Sequence, residues 1–164
     1  MIHIVTGKMN AGKSTTLGSL YNQIQKGDGF ISVKCMHYDK VHGYEIMQLS
    51  NKAFYPLVIR DEFSHQNMEI ACQIGPYLFL KDTLTRIEKD IKTMIENKVS
   101  PIFLDEIGQL ELYDQCFNSI FSKMVKSNLE LYITVREDLV DKIIEKYKLQ
   151  QVDIITVEDV IRCM

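Results

Sequence analysis

The 164-residue sequence has no apolar run approaching the ~20 residues that a membrane-spanning helix needs, so no membrane role is expected. It has no C-x-x-C pair and no Cys/His cluster at zinc-binding spacing. Its four cysteines, Cys35, Cys72, Cys116 and Cys163, stand apart and are expected as small buried or half-buried hydrophobes in a reducing cytosol. The four histidines, His3, His37, His42 and His65, are scattered too, and His42 is the least bland, in the turn Lys40-Val41-His42-Gly43-Tyr44. Net charge is −3 with both signs interspersed, so no nucleic-acid surface is evident. Low-complexity segments, tandem repeats and long charge runs are missing. No charged-then-apolar leader is expected at the N-terminus, and a cytoplasmic location follows as the expectation. What the sequence does have is 46% hydrophobic residues, ample for a packed core, and a length that suits one domain over residues 1–164.

It also has Gly7-Lys8-Met9-Asn10-Ala11-Gly12-Lys13-Ser14, the spacing G-x-x-x-x-G-K-[ST] of a phosphate-binding P-loop. Gly7 and Gly12 let the backbone curl tightly around an anion, where side chains would clash. The N–H groups of residues 7–15, with the start of the following helix, point at phosphate oxygens. Lys13 reaches the β- and γ-phosphates, and the Ser14 hydroxyl can ligate Mg²⁺. Such a loop belongs between a buried strand and a helix. Ile2, Ile4 and Val5 form a short apolar run before it, and Leu17, Leu20, Tyr21 and Ile24 mark one helix face after it. Gly27 and Gly29 are expected to end that helix.

Residues 30–36 and 44–49 alternate in hydrophobicity around a polar turn and read as a β-hairpin. Residues 53–59 suggest another strand, placed at an edge by Pro56. Gly75-Pro76 looks like a turn into a short strand at 77–80. From there helices and strands alternate. A helix capped by Asp82 carries Leu84, Ile87, Ile91, Met94 and Ile95; residues 101–104 form a strand. A helix capped by Asp114 carries Phe117, Ile120, Phe121, Met124 and Val125; residues 129–135 form a strand. Leu139, Ile143, Ile144 and Tyr147 mark a helix, residues 152–155 a strand, and Thr156-Val157-Glu158-Asp159 resembles a capping box opening a last helix. Such alternation predicts an α/β fold of three layers: a mainly parallel sheet with helices on both faces, plus the added β-hairpin.

A P-loop alone binds phosphate; hydrolysis also needs a magnesium partner and a group that activates water. Ile102-Phe103-Leu104-Asp105-Glu106 is an apolar strand ending in two carboxylates, a Walker B pattern. Asp105, at the strand's C-terminal end, is the second candidate in the Mg²⁺ shell beside Ser14. Glu106 is the candidate general base. Asp61-Glu62 follows Leu57-Val58-Ile59 similarly but with Arg60 intervening, and ranks below it. The strand ending Thr134-Val135-Arg136 suits a position between the P-loop and Walker B strands. Either Thr134 or Arg136 is then a γ-phosphate sensor, and Arg136 alternatively pairs with Glu137 or Asp138. Lys13, Glu106 and Arg136 are thus the catalytic candidates.

With Leu104-Asp105-Glu106-Ile107-Gly108-Gln109-Leu110-Glu111-Leu112 in view, the chain resembles the small P-loop nucleoside-triphosphatases, the family of the thermostable and cancer-related nucleoside-triphosphatases. That family carries Asp-Glu-Ile-Gly-x-Met/Leu-Glu-Leu at this point. Gly75-Pro76-Tyr77 resembles its Gly-x-Tyr segment, and His42-Gly43-Tyr44 its Gly-Phe hairpin element. The family loop usually holds Pro and Gly and ends Lys-Thr-Thr, where this chain has Met9-Asn10-Ala11 and Lys13-Ser14-Thr15-Thr16. The family often has Arg before the hairpin Gly-Phe and Asn-Arg near the C-terminus, where this chain has Lys40-Val41-His42 and Glu158-Asp159-Val160. The resemblance implies slow Mg²⁺-dependent hydrolysis of ATP, GTP and other nucleoside triphosphates, with little base selectivity.

Two other classes stay open. One is a nucleoside or nucleotide kinase, although an arginine-rich lid and zinc-binding cysteines are missing. The other is a nucleotide-dependent switch that turns over only with an unknown protein partner. No N/T-K-x-D guanine motif is present either, so the phosphates carry recognition.

Overall fold

The computed structural model describes residues 1–163. Among the described residues nine strands join one sheet in the order β5-β6-β4-β3-β2-β7-β8-β1-β9. They are β1 (Ile2–Gly7), β2 (Asp28–His37), β3 (Lys40–Gln48), β4 (Phe54–Arg60), β5 (Ile70–Ile74), β6 (Tyr77–Leu80), β7 (Ile102–Leu104), β8 (Leu131–Arg136) and β9 (Val152–Thr156). Among the described residues six α-helices accompany them: α1 (Lys13–Ile24), α2 (Lys81–Glu96), α3 (Gln109–Leu112), α4 (Asn118–Lys126), α5 (Val140–Tyr147) and α6 (Val157–Cys163).

The sheet has two halves. From β2 through β7, β8 and β1 to β9 all pairings are parallel. From β2 through β3, β4 and β6 to β5 all are antiparallel. The expectation of a mainly parallel sheet is therefore corrected: the hairpin is not an appendage but the start of a half-sheet. Strand β2 makes the join. Its residues Asp28–Phe30 pair with Ile102–Leu104 of β7, and the strand then runs on past the end of β7, paired only with β3.

Helices cover both faces, as the alternation implies. Residues one apart on a strand point to opposite sides. Ile4, Ile102, Leu104 and Ile133 join Ile87, Ile91, Phe121 and Ile143 from α2, α4 and α5 in one core. Val5 and Phe103 join Leu17 of α1 and Val157 of α6 in the other. Phe103 and Phe121 have no exposed surface; burying each stabilises the fold by about 1.5–3 kcal/mol.

Several boundaries differ from expectation. Helix α1 ends at Ile24 with Gln25 in the left-handed conformation, and Gly29 lies inside β2 rather than at the helix end. Pro56 is not on an edge strand: β4 lies between β3 and β6, but β6 pairs only with Val58–Arg60, so the missing N–H of Pro56 breaks no ladder there. Asp82 lies in the first turn of α2, where its charge opposes the helix dipole, instead of capping it. Asp114 caps nothing; α4 starts at Asn118, and Asp114 pairs with Lys146. Only half of the expected Thr156–Asp159 capping box forms at α6: the Asp159 N–H donates to the Thr156 hydroxyl, and that hydroxyl donates to the Asp159 carboxylate. The side chain of Cys163 lies outside the described residues. Among the described residues no helix is long and apolar enough to cross a membrane.

Candidate active site

Strand β1 delivers Gly7 to the C-terminal edge of the sheet, and the chain turns through residues 8–12 into α1. The Ala11 N–H closes the turn on the Lys8 carbonyl at 3.1 Å. Gly12 has φ +93°, a conformation that side chains resist, and it directly precedes the helix. No described side chain caps α1, and no acidic residue stands in its first turn. The first helical N–H groups therefore remain available to an anion. Lys8, Met9, Asn10, Ala11 and Thr15 are exposed along this loop, and Lys13 and Ser14 are half-buried. The Lys13 ammonium folds back across the loop and donates to the Lys8 carbonyl at 2.8 Å. Partial burial draws its pKa down, against the pull of Asp105 and Glu106.

Strand β7 delivers the two carboxylates. Asp105 is 1% exposed. One of its oxygens accepts the Ser32 N–H at 2.9 Å, and the other accepts the Thr134 hydroxyl. Burial raises its pKa, opposed first by the Ser14 hydroxyl beside it and then by Thr134 and Ser32. P-loop and Walker B thus meet at Ser14 and Asp105. The donors fit a hard divalent cation: a hydroxyl and a carboxylate, both oxygen, side by side. Among the described residues no cluster of three or more His, Cys, Asp or Glu could hold a metal. An ion here would thus draw most of its ligands from phosphate and water, as Mg²⁺ does in NTP sites.

Glu106 has φ 62°, the left-handed conformation, which turns it away from the line of β7. Its N–H donates to the Thr134 hydroxyl at 2.7 Å. The side chain is open to solvent while dense protein surrounds it. That surrounding protein, then the charge of Asp105, pushes its carboxyl up to about 7, with Lys13 and Lys34 pulling the other way. A carboxyl reached by water and poised near neutrality is suited to proton transfer.

Strand β8 lies between β7 and β1, the inserted position expected from the sequence. Thr134 is fully buried and faces the Walker B residues, holding both at once. Arg136 ends β8 opposite Gly7. Its guanidinium grips Asp138, with Nη2 donating at 2.9 Å, so the sequence's alternative of a local ion pair is the arrangement present.

Sequence reasoning passed over three contributors. Glu111 is 2% exposed, and its carboxylate accepts the N–H groups of Gly108 at 2.8 Å and Phe117 at 3.1 Å, tying down the segment after Glu106. A Gly-x-x-Glu spacing after Walker B was the available signal. Lys34, on β2, donates to the Asn10 side chain at 2.7 Å. Tyr44, opposite it on β3, lies close enough to Glu106 and Tyr77 that these, after burial, push its hydroxyl up to about 12. No local motif flags Lys34, and the hairpin motif that contains Tyr44 gave it no role; the sheet register brings both to the site. Beside the loop, toward α6, a cavity of about 330 Å³ is lined by Thr6, Gly7, Lys8, Ala11, Thr156 and Val157. The buried Thr6 hydroxyl oxygen there has no hydrogen-bond partner.

A family model described as NTPase matches residues 2–162. The nucleoside-triphosphatase THEP1 of Thermotoga maritima is 23% identical over 146 residues, spanning 88% of this chain and 79% of that protein. The fold is similar to the crystal structure of THEP1 from Aquifex aeolicus, with TM-score 0.70 at 17% identity over 98% of this chain and 96% of that one. It is also similar to the solution structure of a human cancer-related nucleoside triphosphatase, with TM-score 0.64 at 18% identity over 98% and 95% of the two chains.

Proposed function

The chain belongs to the NTPase family, which makes it a nucleoside-triphosphatase, and from that premise we propose that it cleaves the terminal phosphate of nucleoside triphosphates in a Mg²⁺-dependent reaction with little regard for the base. The observation that carries this reading is the convergence of Lys13, Ser14, Asp105 and Glu106 at the ends of two strands separated only by β8.

In this reading the N–H groups of residues 7–15 and the Lys13 ammonium hold the β- and γ-phosphates. Leaving the Lys8 carbonyl for a phosphate oxygen exchanges a neutral acceptor for an anionic one. Ser14 and Asp105 would hold Mg²⁺, which when bound neutralises charge between the β- and γ-phosphates. Glu106 orients a water molecule and takes its proton as the water oxygen bonds the γ-phosphorus. The bond from that phosphorus to the bridging oxygen breaks, and the diphosphate leaves with the electron pair. The cavity toward α6 would seat the nucleoside. Sites that read a base by hydrogen bonds discriminate by 10⁴–10⁵; the four common triphosphates should stay within roughly two powers of ten of one another here.

Phosphate release by the purified protein from ATP, GTP, CTP and UTP, with and without EDTA, tests this. Lys13→Ala should abolish nucleotide binding. Glu106→Gln should spare binding and lower turnover roughly 10²–10⁴-fold. Release that occurs only with a phosphoryl acceptor or a protein partner would overturn the reading, as would unchanged release in Glu106→Gln.

A further inference from the structure

We propose that Lys34 is a second phosphate-binding cation, which contacts the terminal phosphate from the hairpin side and makes the site prefer triphosphate to diphosphate. This rests on the hydrolase reading of the same site. Lys34 lies on the part of β2 that outruns β7. Two residues earlier, Ser32 gives its N–H to Asp105. Strand alternation puts the Ser32 and Lys34 side chains on one face of β2, and the bond to Asn10 turns the Lys34 ammonium toward the P-loop. Its ammonium reaches the Asn10 side chain of the P-loop at 2.7 Å.

The P-loop and Lys13 take the phosphates from one side. Glu106 must face the γ-phosphorus from the other, in line with the leaving oxygen. Lys34 is held at the P-loop by Asn10 and stands on the strand whose Ser32 N–H bonds the Walker B carboxylate, so its ammonium stands beside the space between the loop and β7 where the outer γ-oxygens lie. Among the described residues Lys34 forms no ion pair; its partner is a neutral amide in an exposed setting. A hydrogen bond to an ionised acceptor is roughly twice as strong as one to a neutral acceptor, so an arriving phosphate oxygen displaces Asn10. Arg136 is differently placed, because the Asp138 carboxylate already holds its guanidinium. Of the two cations, Lys34 is the one with a weak partner to exchange.

Equilibrium titration with a fluorescent nucleoside triphosphate and its diphosphate, in EDTA so that nothing turns over, separates the possibilities. Wild-type protein should prefer the triphosphate. Lys34→Ala should lower triphosphate affinity about 10–100-fold, the worth of one charge-assisted hydrogen bond. It should leave diphosphate affinity within about twofold, which also shows that the variant is folded. Lys34→Arg should restore most of the preference. Lys40→Ala removes the same charge from the hairpin tip and should change neither affinity. The proposal is overturned if Lys34→Ala weakens both nucleotides equally or neither, or if Lys40→Ala does the same as Lys34→Ala. Phosphate release by the wild type distinguishes the two failures. A protein that binds triphosphate selectively through Lys34 but releases no phosphate sinks the hydrolase reading alone. A protein that hydrolyses normally with Lys34→Ala sinks only the role of Lys34.

Discussion

Thr134 does the work of two groups with one hydroxyl. It accepts the Glu106 N–H and donates to the Asp105 carboxylate, and it has no exposed surface. Thr134→Val keeps the shape but leaves a buried N–H and a buried carboxylate oxygen each short of a partner. The expected loss is about 1–3 kcal/mol by urea denaturation, with turnover falling more than nucleotide affinity because Glu106 loses its anchor. Thr134→Ser should recover both, and a fully stable, fully active valine variant would refute this role. Glu111 is a parallel case with a pH signature. Burial raises its pKa above the ordinary 4.5, so its protonated form is favoured more in the folded state than in the unfolded. Its contribution to stability is then full below about pH 4.5 and declines as pH rises through the raised folded value. Glu111→Gln lacks this titration. The stability of wild type relative to Glu111→Gln should fall between acidic and neutral pH; a pH-independent difference would contradict the burial argument. Thr134 was legible as a candidate sensor but not as the anchor of Asp105 and Glu106, and Glu111 was not legible as functional, because those contacts involve N–H groups that only the folded backbone brings to them. The P-loop residues and Asp105-Glu106 were legible, because their spacing is local.

At the scale of elements, the wall opposite the P-loop depends on how closely β3 meets β4. A Cβ placed on Gly43 would lie 2.0 Å from the Val58 carbonyl oxygen. The two backbones can approach this closely only at a glycine, next to the register shift at Tyr44/Glu45. Gly43→Ala must push the strands apart, at a cost of about 1–3 kcal/mol or more. Thermal unfolding should show the loss, and hydrogen exchange should place it at β3 and β4; a neutral effect would mean that the ladder can relax. The same half of the sheet was the harder one to read. Helices α1, α2 and α5 and strands β1, β7 and β8 were legible because long apolar stripes alternate with short buried runs. Strand β5 was not, since only Cys72 of its five residues is buried and no period-2 pattern results. Helix α3 is a single turn held from outside by Lys146, which donates to the Glu111 and Leu112 carbonyls. Pro56 misled because the ladder that would forbid it starts two residues later.

For the whole molecule, the site is a seam. Loop 8–12 and β7 belong to the parallel half, while Lys34 and Tyr44 stand on the run of β2 and on β3 that opens the antiparallel half. Contacts that cross the seam at the site include Ser32 to Asp105 and Lys34 to Asn10. A nucleotide that engages both sides binds only the folded protein, and so it must stabilise the whole sheet. At a free concentration one hundred times Kd that linkage is worth about 2.7 kcal/mol. For a chain of this length each kcal/mol shifts Tm by roughly 2–4 °C, so saturating triphosphate should raise Tm by roughly 5–10 °C. Glu106→Gln should show a shift at least as large, since it binds without consuming the ligand. Lys13→Ala should show none. Differential scanning fluorimetry measures all three, and an equal shift in Lys13→Ala would place the nucleotide somewhere other than the P-loop.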